Sequence, residues 1–217
     1  MVHILDKQNT ILNRFIADLR DERIQADRLR FRRNLERAGE VMAYEISKTL
    51  TYQATQVETP LGVAEMQLPT DQVVVATILR AGVPYHQGFL NYFDSADNAF
   101  VSAYRKYSKD GTFNIKVEYI SCCDLEGKIL ILVDPMLATG ASLVLTYKAL
   151  LEKGGTPKHT HVASIVASEE GIEYVRKYMP KTKTTIWAGA VDQELTVKSY
   201  IVPGIGDVGD LAYGEKL

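Results

Sequence analysis

The sequence predicts an α/β protein: a mainly parallel, Rossmann-like sheet flanked by helices, with a helical region at the N-terminus. Two observations carry this. Short, continuous apolar runs, VVVATIL (73–79), KILILVD (128–134), HVASIVA (161–167) and TIWAGA (185–190), are the pattern of strands buried on both faces. Helical stretches lie between them, and strands that alternate with helices imply parallel pairing with helices on either side. A single domain over 1–217 is expected, divided into a helical region (1–50), a core (70–190) and a C-terminal segment (191–217).

The elements follow in order. Leu35, Ala38, Met42 and Ile46 recur at helical spacing. The stretch from Arg14 to Arg37 is rich in Arg but interleaved with Asp18, Asp21, Glu22, Asp27 and Glu36, which reads as a solvated helix face or a subunit contact. TYQATQV (51–57) reads as a strand, and VVVATIL runs into Arg80-Ala81-Gly82. A helix is expected from Pro84 to Tyr92, then strands at 99–104 and 116–120, with Lys106 to Thr112 as a mobile loop between them. KILILVD ends in Asp134-Pro135 and passes through small residues into a helix from Thr139 to Lys153, which Gly154-Gly155 terminates. Glu169 and Glu170 open a further helix, where acids favour the N-terminus. From Tyr200 the chain is Gly-rich and irregular.

Composition narrows the function. The chain has 217 residues, is 46% hydrophobic and carries a net charge of −2, so nothing global draws it to nucleic acid or an anionic membrane. Any anion site must be built locally. The two cysteines, Cys122 and Cys123, are neighbours and leave no partner for a disulfide. A reducing, cytoplasmic setting fits them. The start, MVHILDKQNT, lacks the apolar core of a secretory signal.

Three segments carry chemistry. In the first, a buried strand ends in Asp134; Pro135, Met136 and Leu137 follow, and Ala138, Thr139, Gly140, Ala141 and Ser142 lead into a helix. Small side chains let an anion reach free N–H groups at a helix start, and the helix dipole favours it there. Thr139 and Ser142 add hydroxyl donors, and Asp134 suits ribose hydroxyls. The Gly-Lys-Ser/Thr ending of a Walker A loop is missing. In the second, Ile78-Leu79-Arg80-Ala81-Gly82, a tight strand-end turn carries a guanidinium suited to phosphate oxygens. The third, Tyr200 to Asp210, contains Gly204-x-Gly206-x-x-Gly209, which opens no βαβ unit and so is not a dinucleotide fingerprint. Its glycines offer bare backbone to a flat ligand. His159 and His161 share a strand face; with no third ligand they read as a solvated strand edge.

The wording Asp-Pro-Met-Leu-Ala-Thr-Gly resembles the phosphoribosyl-diphosphate (PRPP) motif of type I phosphoribosyltransferases, and uracil phosphoribosyltransferases in particular. Ile-Leu-Arg-Ala-Gly at 78–82 and the Gly-rich segment from 200 are similar to the same family, in family order. The resemblance implies that fold, with a small C-terminal base-binding hood, and the reaction uracil + PRPP giving UMP and diphosphate in pyrimidine salvage. It implies that PRPP meets Arg80, Ala81, Gly82, Arg105, residues 134–142 and Asp207. It further implies that uracil meets Tyr200, Ile201, Gly206, Asp207 and Val208. Arg80, Arg105, Asp134 and Asp207 would be catalytic, and Mg²⁺ would be held mainly by PRPP. Activation by GTP and a homodimer or higher homo-oligomer are further family traits. Val208 replaces a family Ala, Ala141 stands where many members have Gly, and residues 211–217 differ from the usual ending. Two other classes stay open at this point: a nucleotide-sensing or RNA-binding regulator on the same fold, and a nicotinamide oxidoreductase.

Overall fold

The computed structural model describes residues 1–107 and 113–216; of 103–107 and 113–117 it describes the backbone. In chain order the elements are β1 (Val2–Ile4), α1 (Ile11–Arg20), α2 (Arg28–Ser47), β2 (Tyr52–Thr59), β3 (Gly62–Pro69), β4 (Val73–Leu79) and α3 (Val83–Leu90). Next come β5 (Asp97–Tyr107), β6 (Phe113–Ser121), β7 (Ile129–Val133), β8 (Met136–Leu137), α4 (Ala141–Gly154), β9 (His159–Ser168) and α5 (Glu169–Tyr178). The chain closes with β10 (Thr184–Asp192), β11 (Glu194–Leu195), β12 (Ile201–Val202) and α6 (Val208–Tyr213).

The main sheet runs in the order β1-β10-β9-β7-β4-β5-β6, with β8 beside β9. All its pairings are parallel except that of β6, which returns antiparallel along β5. Alternate residues of the central strands divide between two cores. Val73, Val75, Ile129, Ile131 and Val133 pack with Leu12, Leu35, Met42 and Phe89 of α1–α3. Val74, Ala76, Leu130 and Leu132 pack with Val144, Tyr147, Leu150 and Val175 of α4 and α5. This is why these strands read as unbroken apolar runs: both faces are covered, so no polar alternation survives.

The topology sets the site. From β4 the chain crosses through α3 to β5 on one side; from β7 it crosses through α4 to β9 on the other. The winding reverses between the adjacent strands β4 and β7, so the loops leaving their carboxyl ends diverge and open a crevice. Those loops are 80–82 and 134–140.

Several expectations need adjusting. TYQATQV lies in β2, which pairs with the unforeseen β3 as a separate, exposed hairpin, not in the main sheet. β1, also unforeseen, is too short to show a period and adds the edge beyond β10. Of the loop expected at 106–112, Lys106 and Tyr107 are strand and 108–112 lie outside the described residues. His161 is no solvated edge: β9 is an inner strand, and His161 is buried with its Nδ1 accepting from Trp187 Nε1 at 3.0 Å. His3 stacks on the same indole at 4.1 Å. Burial, with His159 and His3 beside it, pushes His161 down to about 3, so it stays neutral. Among the described residues, no helix is long and apolar enough to cross a membrane.

Candidate active site

The crevice is a cavity of about 840 Å³ lined by both switch-point loops and by the C-terminal segment. Its floor is the end of β7. Asp134 N–H donates to Ala163 O at 3.1 Å, and Pro135 O accepts from Ile165 and Val166 at 3.1 Å, so β9 stitches the turn down. The Asp134 carboxyl is half-buried on the cavity wall and, among the described residues, accepts one hydrogen bond, from Met136 N–H at 3.4 Å. Desolvation pushes it up to about 7. It is a carboxylate acceptor short of donors, held where a sugar hydroxyl can supply them.

The small-residue loop then turns into α4. Gly140 takes φ +76°, and a Cβ there would come within 2.9 Å of Gly171 O. α5 therefore presses against the loop. Ser168, the N-cap of α5, donates to Ala138 O at 2.5 Å and accepts from Gly171 N–H at 2.9 Å. Thr139 Oγ1 accepts from Ala141 N–H at 3.4 Å. Ala138, Thr139, Gly140, Ser142 and Leu143 line the cavity at the helix start. The arrangement suits an anion: the start of α4 turns its first-turn amides, of which Ala141 N–H is already engaged by Thr139, towards the cavity, with a hydroxyl on either side and a helix dipole behind them.

Across the crevice, Arg80 and Ala81 line the wall while Gly82 closes the turn through its N–H to Ile78 O at 3.0 Å. Arg80 Nη2 donates to Asp210 Oδ1 at 3.0 Å and to Gly214 O at 3.2 Å. The third wall is Tyr200, Gly206, Asp207, Val208 and Gly209. Asp207 caps α6 by accepting from Asp210 N–H at 3.0 Å. Val208 is buried in the α1–α3 core, so its extra bulk over Ala is absorbed largely by packing.

Of the residues read from sequence, Arg80, Ala81, Asp134, Met136, Leu137, Ala138, Thr139, Gly140, Ser142, Tyr200, Gly206, Asp207 and Val208 share this cavity. Gly82, Pro135, Ala141 and Ile201 are not among the residues that line it. The Arg105 side chain lies outside the described residues. Ser102, Ser199 and Lys216 also line the cavity and were not read from sequence. Lys216 Nζ lies 3.8 Å from Asp207 and 3.9 Å from Asp210. A lone Lys in a polar tail gives no signal of its own.

A doubly wound, mostly parallel sheet with a small-residue helix start, an acid and a glycine-rich wall around one switch-point cavity is the architecture of the type I phosphoribosyltransferases. The profile described as uracil phosphoribosyltransferase matches residues 7–215. A uracil phosphoribosyltransferase of Porphyromonas gingivalis is 61% identical over 213 residues, covering 98% of each chain. One from Pyrococcus furiosus is 37% identical, covering 92% of this chain and 84% of the relative. The solved structure of AQ2163 protein from Aquifex aeolicus superposes with a TM-score of 0.86 at 26% identity, covering 100% of both chains. The chain belongs to the uracil phosphoribosyltransferase family, whose members are pentosyltransferases.

Proposed function

We propose that this cavity joins uracil to PRPP, giving UMP and diphosphate, with the roles divided by wall. Residues 138–142 anchor the 5-phosphate, and Asp134 accepts the ribose hydroxyls. Arg80, with Arg105, offsets charge on the departing diphosphate. Backbone of 201–208 reads the two carbonyls and ring N–H of uracil, with Tyr200 against the ring and Asp207 facing both substrates. The observation that carries this reading is the sharing of one cavity by the anion cradle, the Asp134 carboxyl and the glycine-rich wall.

The chemistry follows from what these groups can do. The C1′–diphosphate bond breaks ahead of bond making, and its electron pair leaves with diphosphate. Uracil N1 closes on C1′, and its proton passes to the released diphosphate or to water. The centre that forms is oxocarbenium-like, so catalysis is positional and electrostatic. The family implies Mg²⁺. Among the described residues no cluster of three or more His, Cys, Asp or Glu could hold a metal. Two carboxylates, Asp134 and Asp207, on the wall of one cavity fit an ion that binds mostly through phosphate oxygens and water. Asp134 and Asp207, the carboxylates on the cavity wall, would hold it from the protein side. When bound, the ion supplies charge neutralisation on the diphosphate.

A cytoplasmic, homo-oligomeric enzyme completes the reading. The free thiols of Cys122 and Cys123 support the first. The β2–β3 hairpin, with Leu61, Val63 and Met66 exposed, supports the second. The deciding experiment is turnover with PRPP, Mg²⁺ and a panel of free bases, with and without GTP as activator. Uracil should be used above every other base; equal or better use of another base refutes the assignment.

A further inference from the structure

Behind the base-reading wall, outside the cavity, sits an ion pair with an unusual set of partners. Arg20, the last residue of α1, clasps Asp192, the last residue of β10, through two parallel bonds of 2.8 Å. The same Arg20 Nη1 donates to Gly204 O at 2.9 Å, and Asp192 Oδ2 accepts from Gly204 N–H at 2.9 Å. The pair thus holds both polar groups of one peptide residue. Asp192 is 8% exposed and Arg20 25%. Burial pushes Asp192 up, but the hydrogen bonds from Arg20 and Gly204 outweigh it and hold the carboxyl below its usual range.

Gly204 needs such a grip. It takes φ +58°, and a Cβ there would lie 2.2 Å from Ile201 O. Two residues on, Gly206 takes φ +79° and lines the cavity. Gln25, whose Nε2 donates to Arg20 O at 3.2 Å, backs Gly206 from the same side. A segment that reads a flat ring with its own backbone has no rotamers with which to adjust. Its glycines also have more conformations to lose than other residues. Its accuracy must therefore be imposed from behind.

We infer that Arg20 and Asp192 are positioning residues for base recognition, setting the Gly204–Gly206 backbone against the base while touching neither substrate. This rests on the reading of 201–208 as the base site. The side-chain bonds of the pair go to each other and to Gly204 and not to the phosphate cradle. Asp192 neighbours Ser168, which braces the cradle, only through the β10–β9 backbone register that a side-chain substitution leaves in place. Loss of the pair therefore moves the base side and not the phosphate side.

The test is steady-state kinetics on Arg20→Lys, Arg20→Met, Asp192→Asn and Gly206→Ala, with KM measured separately for uracil and PRPP. Arg20→Met and Asp192→Asn should raise KM for uracil about tenfold, the scale of a lost charge-assisted hydrogen bond, and leave KM for PRPP within about twofold. Arg20→Lys keeps the charge but not the fork, so it should restore part of the loss. Amide exchange at Gly204 should be protected in the parent and accelerated in Arg20→Lys, a readout that needs no turnover. Parallel rises in both KM values, or slower turnover and lower Tm with KM for uracil unchanged, overturn the positioning role. If Gly206→Ala raises KM for uracil while the Arg20 and Asp192 variants are silent, the positioning role alone fails. If Gly206→Ala leaves KM for uracil unchanged, the base-site reading itself fails.

Discussion

Residues 134–142 and residues 200–210 face each other across one cavity but are held there by opposite means. The first set sits between a buried strand and a helix. Its backbone is fixed by the sheet, through Ala163, Ile165 and Val166, and by the capped start of α5. The second set has little regular structure of its own. It is held by side chains from remote parts of the chain: Arg20, 184 residues from Gly204, and Arg80, 130 residues from Asp210. The cradle is rigid because strand–turn–helix geometry makes it so. The base wall is only as accurate as the charged side chains behind it. On the proposed division of the walls, one scaffold can keep phosphoribosyl binding constant while base preference changes through a few distant substitutions.

The sharpest challenge to this division is Asp207, which belongs to the base wall yet is proposed to serve both substrates. Asp207→Ala should cut turnover by about a hundredfold or more, as loss of a preorganised charged group does. Because Asp207 also caps α6, Asp207→Asn is the companion variant: it keeps a cap of equal rank, so a matching loss assigns the effect to charge. Near-normal turnover in both would remove Asp207 from the chemistry.

Asp134 tests the cradle side. Asp134→Asn should lower kcat/KM for PRPP by about tenfold, the scale of a hydrogen bond to a charged acceptor. The sign of its pH effects follows from a carboxyl raised from 3.8 to about 7. The folded chain binds this proton more tightly than the unfolded chain does, so ionising Asp134 costs stability as pH rises from the unfolded value through about 7. Asn removes that cost. The variant should melt higher than the parent above neutral pH, by about 2–4 °C for each kcal/mol relieved, with the gap closing on acidification. In the parent, KM for PRPP should fall as pH rises through about 7, because the ionised carboxyl accepts more strongly from ribose hydroxyls than the neutral one does; in Asp134→Asn that fall should vanish. A Tm unchanged at every pH would deny the burial argument.

The smallest effect is expected at Gly140. Gly140→Ala places a Cβ at φ +76° and against Gly171 O, at a cost of about 1–3 kcal/mol in stability. KM for PRPP should rise severalfold while KM for uracil stays level. A change confined to uracil would dissolve the contrast between the two walls.

The same contrast explains what could be read in advance. Strands β4, β7, β9 and β10 announced themselves as apolar runs because burial on both faces leaves a composition signal within each segment. Asp134, Thr139, Gly140 and Ser142, which share the cavity, stood out for a related reason: an acid at the end of a buried strand and small residues at a helix start are signals carried within one segment. β1 and β3 were not, since one is three residues long and the other is exposed on both faces. The histidines of β9 misled because strand periodicity gives a face but not what covers it.

By itself, then, the amino-acid order determined the layered α/β sheet, its carboxyl-end anion cradle and, through the wording of three motifs, the family. Tertiary structure decided that β4 and β7 are neighbours, so that their loops diverge at one switch point. It also brought Lys216 to the cavity, put the Asp134 carboxyl on its wall, and closed Arg20 and Asp192 on Gly204. Such pairings depend on which surfaces meet after folding, and residues more than a hundred positions apart carry no local trace of the partner they will find.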